Sequence, residues 1–211
     1  IQGGKLTNGN IEIKIPSAQI KSGILLAALN IAGKTKIIEN NITRDHTEIM
    51  LEAFEAEIKT TRQDEKKIIE IEGKKELKSK NIDVPSDLSS SAFFIVASLI
   101  NSNSNILLEN ININPTRSGI LTSLNKMGAK INLKNIRFSN NEKICDIEVQ
   151  SSNLIGCELD SDIAKLMIDE YPILSIAASF ANSPSVFRGL GELRVKESDR
   201  LELIHLNLKR C

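Results

Sequence analysis

The sequence predicts an α/β protein built from repeated β-α-β-α-β-β units, two of them and part of a third, spread over two incomplete domains. Three observations predict it. Runs that begin polar and turn apolar open at Ser17, Ser90 and Asp169. A short β-branched or apolar run follows each. A basic residue then falls 27 positions after each opening: Arg44 after Ser17, Arg117 after Ser90, Lys196 after Asp169. The openings themselves are 73 and 79 residues apart, and a fixed offset inside unequal periods marks a repeated supersecondary unit with variable loops.

In the first repeat, Ser17 to Leu29 reads as a helix buried on most faces with Ser at its N-terminus. Lys36-Ile37-Ile38-Glu39 reads as a strand. Beyond Arg44, Ile49, Leu51, Phe54 and Ile58 form the apolar stripe of a second helix. Glu57 to Glu72 reads as a hairpin around Arg62-Gln63-Asp64-Glu65. The polar stretch Lys78-Ser79-Lys80-Asn81 suits a domain change. In the second repeat a helix starts at Ser90 and Ile106-Leu107-Leu108-Glu109 forms a strand. Ile120, Leu121, Leu124 and Met127 make the next stripe, closed by Gly128 as C-cap. Lys130 to Gln150 is the hairpin, around Ser139-Asn140-Asn141. The third repeat offers Asp169 to Ala181, then Val186-Phe187-Arg188, then a second helix without a hairpin. A short strand ahead of each first helix completes the plan. The start Ile1-Gln2-Gly3 is like Ile71-Glu72-Gly73, the end of a repeat, and the third repeat stops early, so a piece of a longer protein is expected.

Composition excludes several classes. A chain of 211 residues suits one or two domains. Lys+Arg and Asp+Glu are 27 each, against nucleic-acid binding by bulk charge. Aromatics are 3% with no Trp, against single-strand stacking platforms. No apolar stretch reaches the roughly 18 residues of a membrane span. Cys145, Cys157 and Cys211 are odd in number without a CxxC pair, against a disulfide framework or thiolate zinc site, and point to a reducing cytosol. The two His lie far apart and outside metal-ligand spacing.

The repeat junctions carry the chemistry. They set hydroxyls, carboxylates and cations at helix N-termini, where backbone N–H groups and the dipole favour anions. Arg is the minority cation, and Arg44, Arg117, Arg194 and Arg200 all fall near junctions, as planar recognition of phosphate or carboxylate requires. The densest cluster is Arg194-Val195-Lys196-Glu197-Ser198-Asp199-Arg200. A capped first turn explains its acids, but three cations there oppose the dipole, which favours a ligand site. Asp169 fits a general base in a cleft, and fits an N-cap better on its neighbours alone. Ser17 and Gln19 fit polar-ligand contacts or ordinary capping. Glu48 reads as a first-turn acid, His46 as a surface or capping residue, and Tyr171 as a packed ring with a hydrogen-bonded hydroxyl.

Six segments carry a resemblance: Ser17-Ala18-Gln19-Ile20-Lys21-Ser22, Thr43-Arg44-Asp45-His46-Thr47-Glu48, Val84-Pro85-Ser86-Asp87-Leu88-Ser89-Ser90, Asn114-Pro115-Thr116-Arg117, Asp169-Glu170-Tyr171-Pro172, and Leu193 to Arg200. In order and nearly end to end, they resemble the 5-enolpyruvylshikimate-3-phosphate synthases, in particular the glyphosate-tolerant class II branch. The Leu-Arg-Val-Lys-Glu-Ser-Asp-Arg run is highly specific. The resemblance implies an enolpyruvyl transferase-like fold: two domains of three β-α-β-α-β-β units closing over substrate at a hinge. Residues 1–84 are then the C-terminal part of one domain and 85–211 the first part of the other, with Asp87 near the crossover. It implies transfer of the enolpyruvyl group of phosphoenolpyruvate to shikimate 3-phosphate with release of phosphate, in aromatic amino acid biosynthesis. No metal or organic cofactor, nucleic acid or membrane is implied, and a cytoplasmic monomer is.

By the same resemblance, Ser17, Ala18 and Gln19 contact shikimate 3-phosphate, Gln19 also phosphoenolpyruvate, and Arg44 the shikimate phosphate. Asp169 takes the proton of the attacking hydroxyl. Lys196 contacts shikimate 3-phosphate and the leaving phosphate, Glu197 delivers a proton to the methylene carbon, and Arg200 binds phosphoenolpyruvate. Lys196 lowers the Glu197 pKa and burial raises it, and the sequence leaves the balance open. Ser86 stands where many relatives have Gly. The family's N-terminal Lys-Ser pair and Arg, its other phosphoenolpyruvate-binding Arg and its C-terminal basic residues lie outside these 211 residues, so the chain alone is expected to be inactive. The alternatives are a UDP-N-acetylglucosamine enolpyruvyl transferase, which the Asp-Glu-Tyr-Pro and Arg-Val-Lys-Glu-Ser-Asp-Arg runs fit less well, and a non-catalytic anion-binding module.

Overall fold

A computed structural model describes residue 4 and residues 6–64 and 66–211. The likeness of Ile1-Gln2-Gly3 to the end of a repeat lies outside the described residues, as does Glu65 of the first hairpin. The chain divides into two compact units, one ending at Asp83 and one running Val84–Cys211.

The first unit is a complete β-α-β-α-β-β repeat. Its elements are β1 (Asn10–Ile13), α1 (Ala18–Ala28), β2 (Gly33–Glu39), α2 (His46–Ala53), β3 (Ile58–Gln63) and β4 (Lys66–Gly73). The sheet order is β1-β2-β4-β3. β1 and β2 are parallel, and β4 lies antiparallel to both β2 and β3. Ser17 caps α1, its hydroxyl accepting from the Ile20 N–H at 3.3 Å. Only one face of α1 is buried, through Lys21, Leu25 and Ala28, whereas Ile20 and Leu26 are exposed. A helix packed on one sheet hides a stripe, so the expected all-round burial is not seen. Ile58 opens β3 instead of extending the α2 stripe. At the end of β4, Gly73 passes so close to α1 that a Cβ would stand 1.9 Å from the Ile31 carbonyl oxygen. The core is Ile13, Leu25, Ala28, Ile37, Leu51, Ile69 and Ile71.

The second unit repeats the topology and then begins it again. It holds α3 (Leu88–Ile100), β5 (Asn105–Asn112), α4 (Gly119–Lys126), β6 (Lys130–Ser139) and β7 (Glu142–Gln150), with sheet order β5-β7-β6. The expected strand ahead of α3 shrinks to one parallel bridge, Ser86 to Ile111. Pro85 has no N–H to donate, and Asp87 already caps α3 through the Ser90 N–H at 2.8 Å, so the strand has no room to grow. The cap is therefore Asp87, and the helix starts before Ser90. Gly128, at φ +82°, ends α4, and Asn140 and Asn141 turn the β6–β7 hairpin at φ 49° and 66°. Both long strands bulge, β5 between Leu108 and Ile111 and β6 between Lys134 and Arg137. Asp146 of β7 pins the two bulges, accepting from the Asn110 N–H at 2.9 Å and from Asn135 Nδ2 at 2.8 Å.

The partial repeat follows as β8 (Glu158–Leu159), α5 (Ser161–Ala164), a 3-10 turn at Ile168–Glu170, α6 (Tyr171–Ser179), β9 (Val186–Phe187), a 3-10 segment at Leu190–Val195 and α7 (Arg200–Arg210). β8 and β9 pair in parallel, as β1 and β2 do. Tyr171 packs edge-on against Phe187 with ring centroids 5.6 Å apart. Its hydroxyl, expected to be hydrogen-bonded, has no partner among the described residues, and burial pushes its pKa to about 12.

Candidate active site

In the first unit, parallel pairing of β1 and β2 brings the loops after both strands to one end of the sheet. The first loop delivers Ser17, Ala18 and Gln19 to the start of α1, with Gln19 exposed. The second delivers Arg44, just ahead of α2. Contacts close the gap between them: Ser22 Oγ and Thr47 Oγ1 stand 2.6 Å apart, and Lys21 Nζ donates to the Thr43 carbonyl at 3.5 Å. The helix N-terminus and the arginine therefore share one end of the unit, the composition of an anion site.

Beneath them lies a feature that sequence reasoning missed. Lys21 is fully buried and pairs with Glu39 at 3.1 Å and Glu48 at 2.9 Å. Lys67 meets the same Glu48 oxygen at 2.9 Å. Glu48 is thus a first-turn acid, but an interior one. The signals were legible: a Lys at the i position of the stripe Lys21–Leu25–Ala28, and an acid on the inward alternation Thr35–Ile37–Glu39.

In the second unit, the junctions of the partial repeat bring Asp169, Glu197 and Arg200 together. Arg200 Nη1 donates to Asp169 Oδ1 at 3.1 Å, while its Nε and Nη2 fork onto Glu197 at 2.9 and 3.0 Å. Asp169 lies in the 3-10 turn and is not the cap of α6, whose first residue follows Glu170. The acid that caps α7 is Asp199, accepting from the Glu202 N–H at 2.9 Å and pairing with Arg194. Lys196 does not join the triad and pairs instead with Glu192. The open question on Glu197 resolves downward: the Arg200 hydrogen bonds hold its carboxyl below the usual range, and Lys196 contributes least.

A second polar chain went unread in the sequence. Ser89 donates to buried Glu170, the neighbour of Asp169, and Arg117 Nη2 donates to Ser89 Oγ at 2.8 Å and pairs with Asp87 at 2.9 Å. Ser89 and Glu170 are 81 residues apart, so no local pattern announces the contact. Burial raises the pKa of Cys145 and Cys157, which leaves both thiols unactivated. Among the described residues no group of three or more His, Cys, Asp or Glu could hold a metal, and no helix is long and apolar enough to cross a membrane.

The family model for EPSP synthase (3-phosphoshikimate 1-carboxyvinyltransferase) matches residues 1–211. The 3-phosphoshikimate 1-carboxyvinyltransferase of Roseobacter denitrificans is 48% identical over 198 residues, 93% of this chain and 44% of that protein. That of Phenylobacterium zucineum is 42% identical over 211 residues, 100% of this chain and 47% of that protein. A solved EPSP synthase of Acinetobacter baumannii superposes with a TM-score of 0.87 at 42% identity, over 97% of this chain and 45% of that one. The enolpyruvyl transferase NikO of Streptomyces tendae shares the fold alone, with a TM-score of 0.53 at 16% identity over 80% of this chain and 39% of that one. The chain spans a little under half the length of the curated relatives it matches. With its whole described length inside the family model and nearly half its residues shared with such relatives, the chain belongs to the EPSP synthase (3-phosphoshikimate 1-carboxyvinyltransferase) family.

Proposed function

We propose that the chain serves transfer of the enolpyruvyl group from phosphoenolpyruvate to the 5-hydroxyl of shikimate 3-phosphate, with release of phosphate. The observation that carries the reading is the position of Arg200, forked on Glu197 and bonded to Asp169 within the family-specific run. In this reading Ser17, Ala18, Gln19 and Arg44 bind shikimate 3-phosphate, and Gln19 also reaches phosphoenolpyruvate. Asp169 accepts the proton of the attacking hydroxyl. Glu197 supplies a proton to the methylene carbon, Arg200 holds the phosphoenolpyruvate carboxylate, and Lys196 contacts shikimate 3-phosphate and the departing phosphate. The chemistry asks for these roles, since addition to the double bond needs one proton given to carbon and one taken from oxygen. Both substrates are anionic, so fixed cations must hold them. Arg200 also links the steps: a substrate carboxylate that draws it off Glu197 removes the main cause of that residue's low pKa and makes it a better proton donor at neutral pH.

The two compact units are, in this proposal, the C-terminal part of one repeat domain and the first part of the other. The whole protein works as a monomer, without metal or organic cofactor, in the cytoplasm, where three free cysteines are at home. Calorimetric titration of the chain with shikimate 3-phosphate, repeated for Arg44→Ala and Asp169→Ala, tests the reading. Saturable binding weakened at least tenfold by Arg44→Ala supports it. Binding of UDP-N-acetylglucosamine in preference to shikimate 3-phosphate, or binding indifferent to Arg44, overturns it.

A further inference from the structure

Four charged side chains are buried in the first unit beside its apolar core: Lys21, Glu39, Glu48 and Lys67, none more than 4% exposed. They run as a chain, Glu39 to Lys21 to Glu48 to Lys67, with successive contacts of 3.1, 2.9 and 2.9 Å. Two cations balance two carboxylates. Apolar residues of similar volume generally fill such a space with equal or better stability, so stability alone does not account for the cluster. None of the four is a substrate contact in the proposed reading.

What the cluster grips is the loop that carries Arg44. Thr43 Oγ1 donates to Glu39 Oε1 at 2.6 Å. Lys21 Nζ donates to the Thr43 carbonyl at 3.5 Å. On the other side, Lys67 Nζ lies 3.8 Å from Asp45 Oδ2. Both neighbours of Arg44 are therefore tied to buried charges, and the Thr43 hydroxyl is the shortest tie. Because the Glu39 carboxylate only accepts, the Thr43 proton has one direction to point, which fixes its rotamer and the backbone beside it.

We infer that Thr43 is a positioning residue for Arg44, with the buried Lys21–Glu39–Glu48–Lys67 cluster as its frame. The inference rests on the reading of Arg44 as a ligand of the shikimate phosphate. An arginine on a loop ordered only at binding loses affinity to that ordering, whereas one on a pre-set backbone does not. The cluster's buried charges thus serve the ligand, and the threonine transmits their rigidity.

The test uses the 211-residue chain with two substitutions, Thr43→Val and Thr43→Ser. Valine keeps the shape and removes the hydroxyl, and serine keeps the hydroxyl. Neither removes a buried charge, and Glu39 keeps Lys21 in both, so both variants are expected to fold. Shikimate 3-phosphate affinity by calorimetry should fall about five- to tenfold in Thr43→Val and return to within about twofold of the parent in Thr43→Ser. Amide exchange at Arg44 and Asp45, measured without ligand, should quicken in Thr43→Val and not in Thr43→Ser. Parent-like affinity in Thr43→Val overturns the inference, as does failure of Thr43→Ser to restore it. If the parent chain does not bind shikimate 3-phosphate, the ligand reading fails by itself. The exchange measurement then decides the positioning claim: unchanged exchange in Thr43→Val overturns it, and serine-restorable quickening sustains it.

Discussion

Replacing Lys21 by methionine measures how dry the charged interior of the first unit is. The side chain is fully buried, and its ammonium lies 3.1 Å from Glu39 and 2.9 Å from Glu48. Methionine has nearly the same length and no charge. After the change Glu48 retains Lys67 at 2.9 Å, and Glu39 retains the Thr43 hydroxyl. Two buried carboxylates then share one cation. Removing one partner from a buried ion pair costs about 3–5 kcal/mol, roughly two to nearly four decades in an opening equilibrium. The assay must read the first unit by itself. Tyr171 is the only Tyr of a Trp-free chain and lies in the second unit, so intrinsic tyrosine fluorescence reports the wrong half. Native-state hydrogen exchange of β2 and β4 peptides reads the right one. Exchange there should accelerate at least about a hundredfold, with α3 and β7 peptides unchanged. Adding Glu39→Leu removes a charge of the opposite sign and should recover part of the loss. An acceleration below tenfold, or a double variant no better than the single one, refutes the claim that these charges are desolvated and mutually dependent.

Tyr171→Phe should leave stability equal or raise it by about 1 kcal/mol, because the lost hydroxyl is buried without a partner among the described residues. In the parent chain tyrosinate absorbance should appear near pH 12; since the folded value is raised, the stability tied to the neutral phenol is intact below about pH 10 and drains away above it, and titration at an ordinary value would refute the burial. Gly73→Ala should cost at least about 2 kcal/mol, since a Cβ there meets the backbone carbonyls of Ile31 and Ala28 at 1.9 and 2.2 Å. Gly23→Ala, in open space on α1, should instead stabilise by about 0.5–1 kcal/mol, and equal exchange behaviour of the two variants would refute the close approach. Asp146 has its pKa lowered, first by the Asn110 N–H, so its contribution is present above the ordinary carboxylate value of about 4 and is lost as pH falls through its own. Asp146→Asn should flatten the acid limb of second-unit unfolding, and an unaltered limb would show that the bulges hold without the charge.

What the sequence revealed and what it hid separate along a physical line. The repeat, the Gly128 stop and the Asn140-Asn141 turn are local: each depends on residues a few positions apart, whose backbone preferences act wherever the chain goes. Arg44, Arg117 and Lys196 fall ahead of α2, α4 and α7 for the same reason, since the offset is a property of the repeated backbone. The failures are tertiary. Asp169 looked like a cap because an acid before an apolar run usually is one, but the 3-10 turn moves the helix start past Glu170 and frees Asp169 to meet Arg200. The strand before α3 shrank to a single bridge because Pro85 offers no N–H and the cap at Asp87 already starts the helix. Lys21 was legible only as a misplaced charge on an apolar stripe, and its partners Glu39 and Glu48 come from β2 and α2, the latter shared with Lys67 of β4.

Equivalent places in a repeat need not carry equivalent work, and the pair Arg44 and Arg117 makes the point testable. Both lie 27 residues beyond the openings of their repeats, just ahead of a second helix. Arg117 is already spent on the fold. It pairs with Asp87 at 2.9 Å and donates to Ser89, which in turn donates to buried Glu170, so it joins the start of α3 to the turn before α6. The ion pair is partly exposed and contributes little by itself. The larger effect is to fix Ser89, whose proton would otherwise have no enforced direction toward Glu170. Arg117→Ala should therefore lower second-unit stability by about 1–2 kcal/mol, read by exchange in α3, and leave shikimate 3-phosphate affinity unchanged. Arg44→Ala should do the reverse, weakening the ligand and sparing β2 and β4. If Arg117→Ala weakens the ligand as much as Arg44→Ala does, the two positions share a role and the division between scaffold and site drawn from these contacts is wrong.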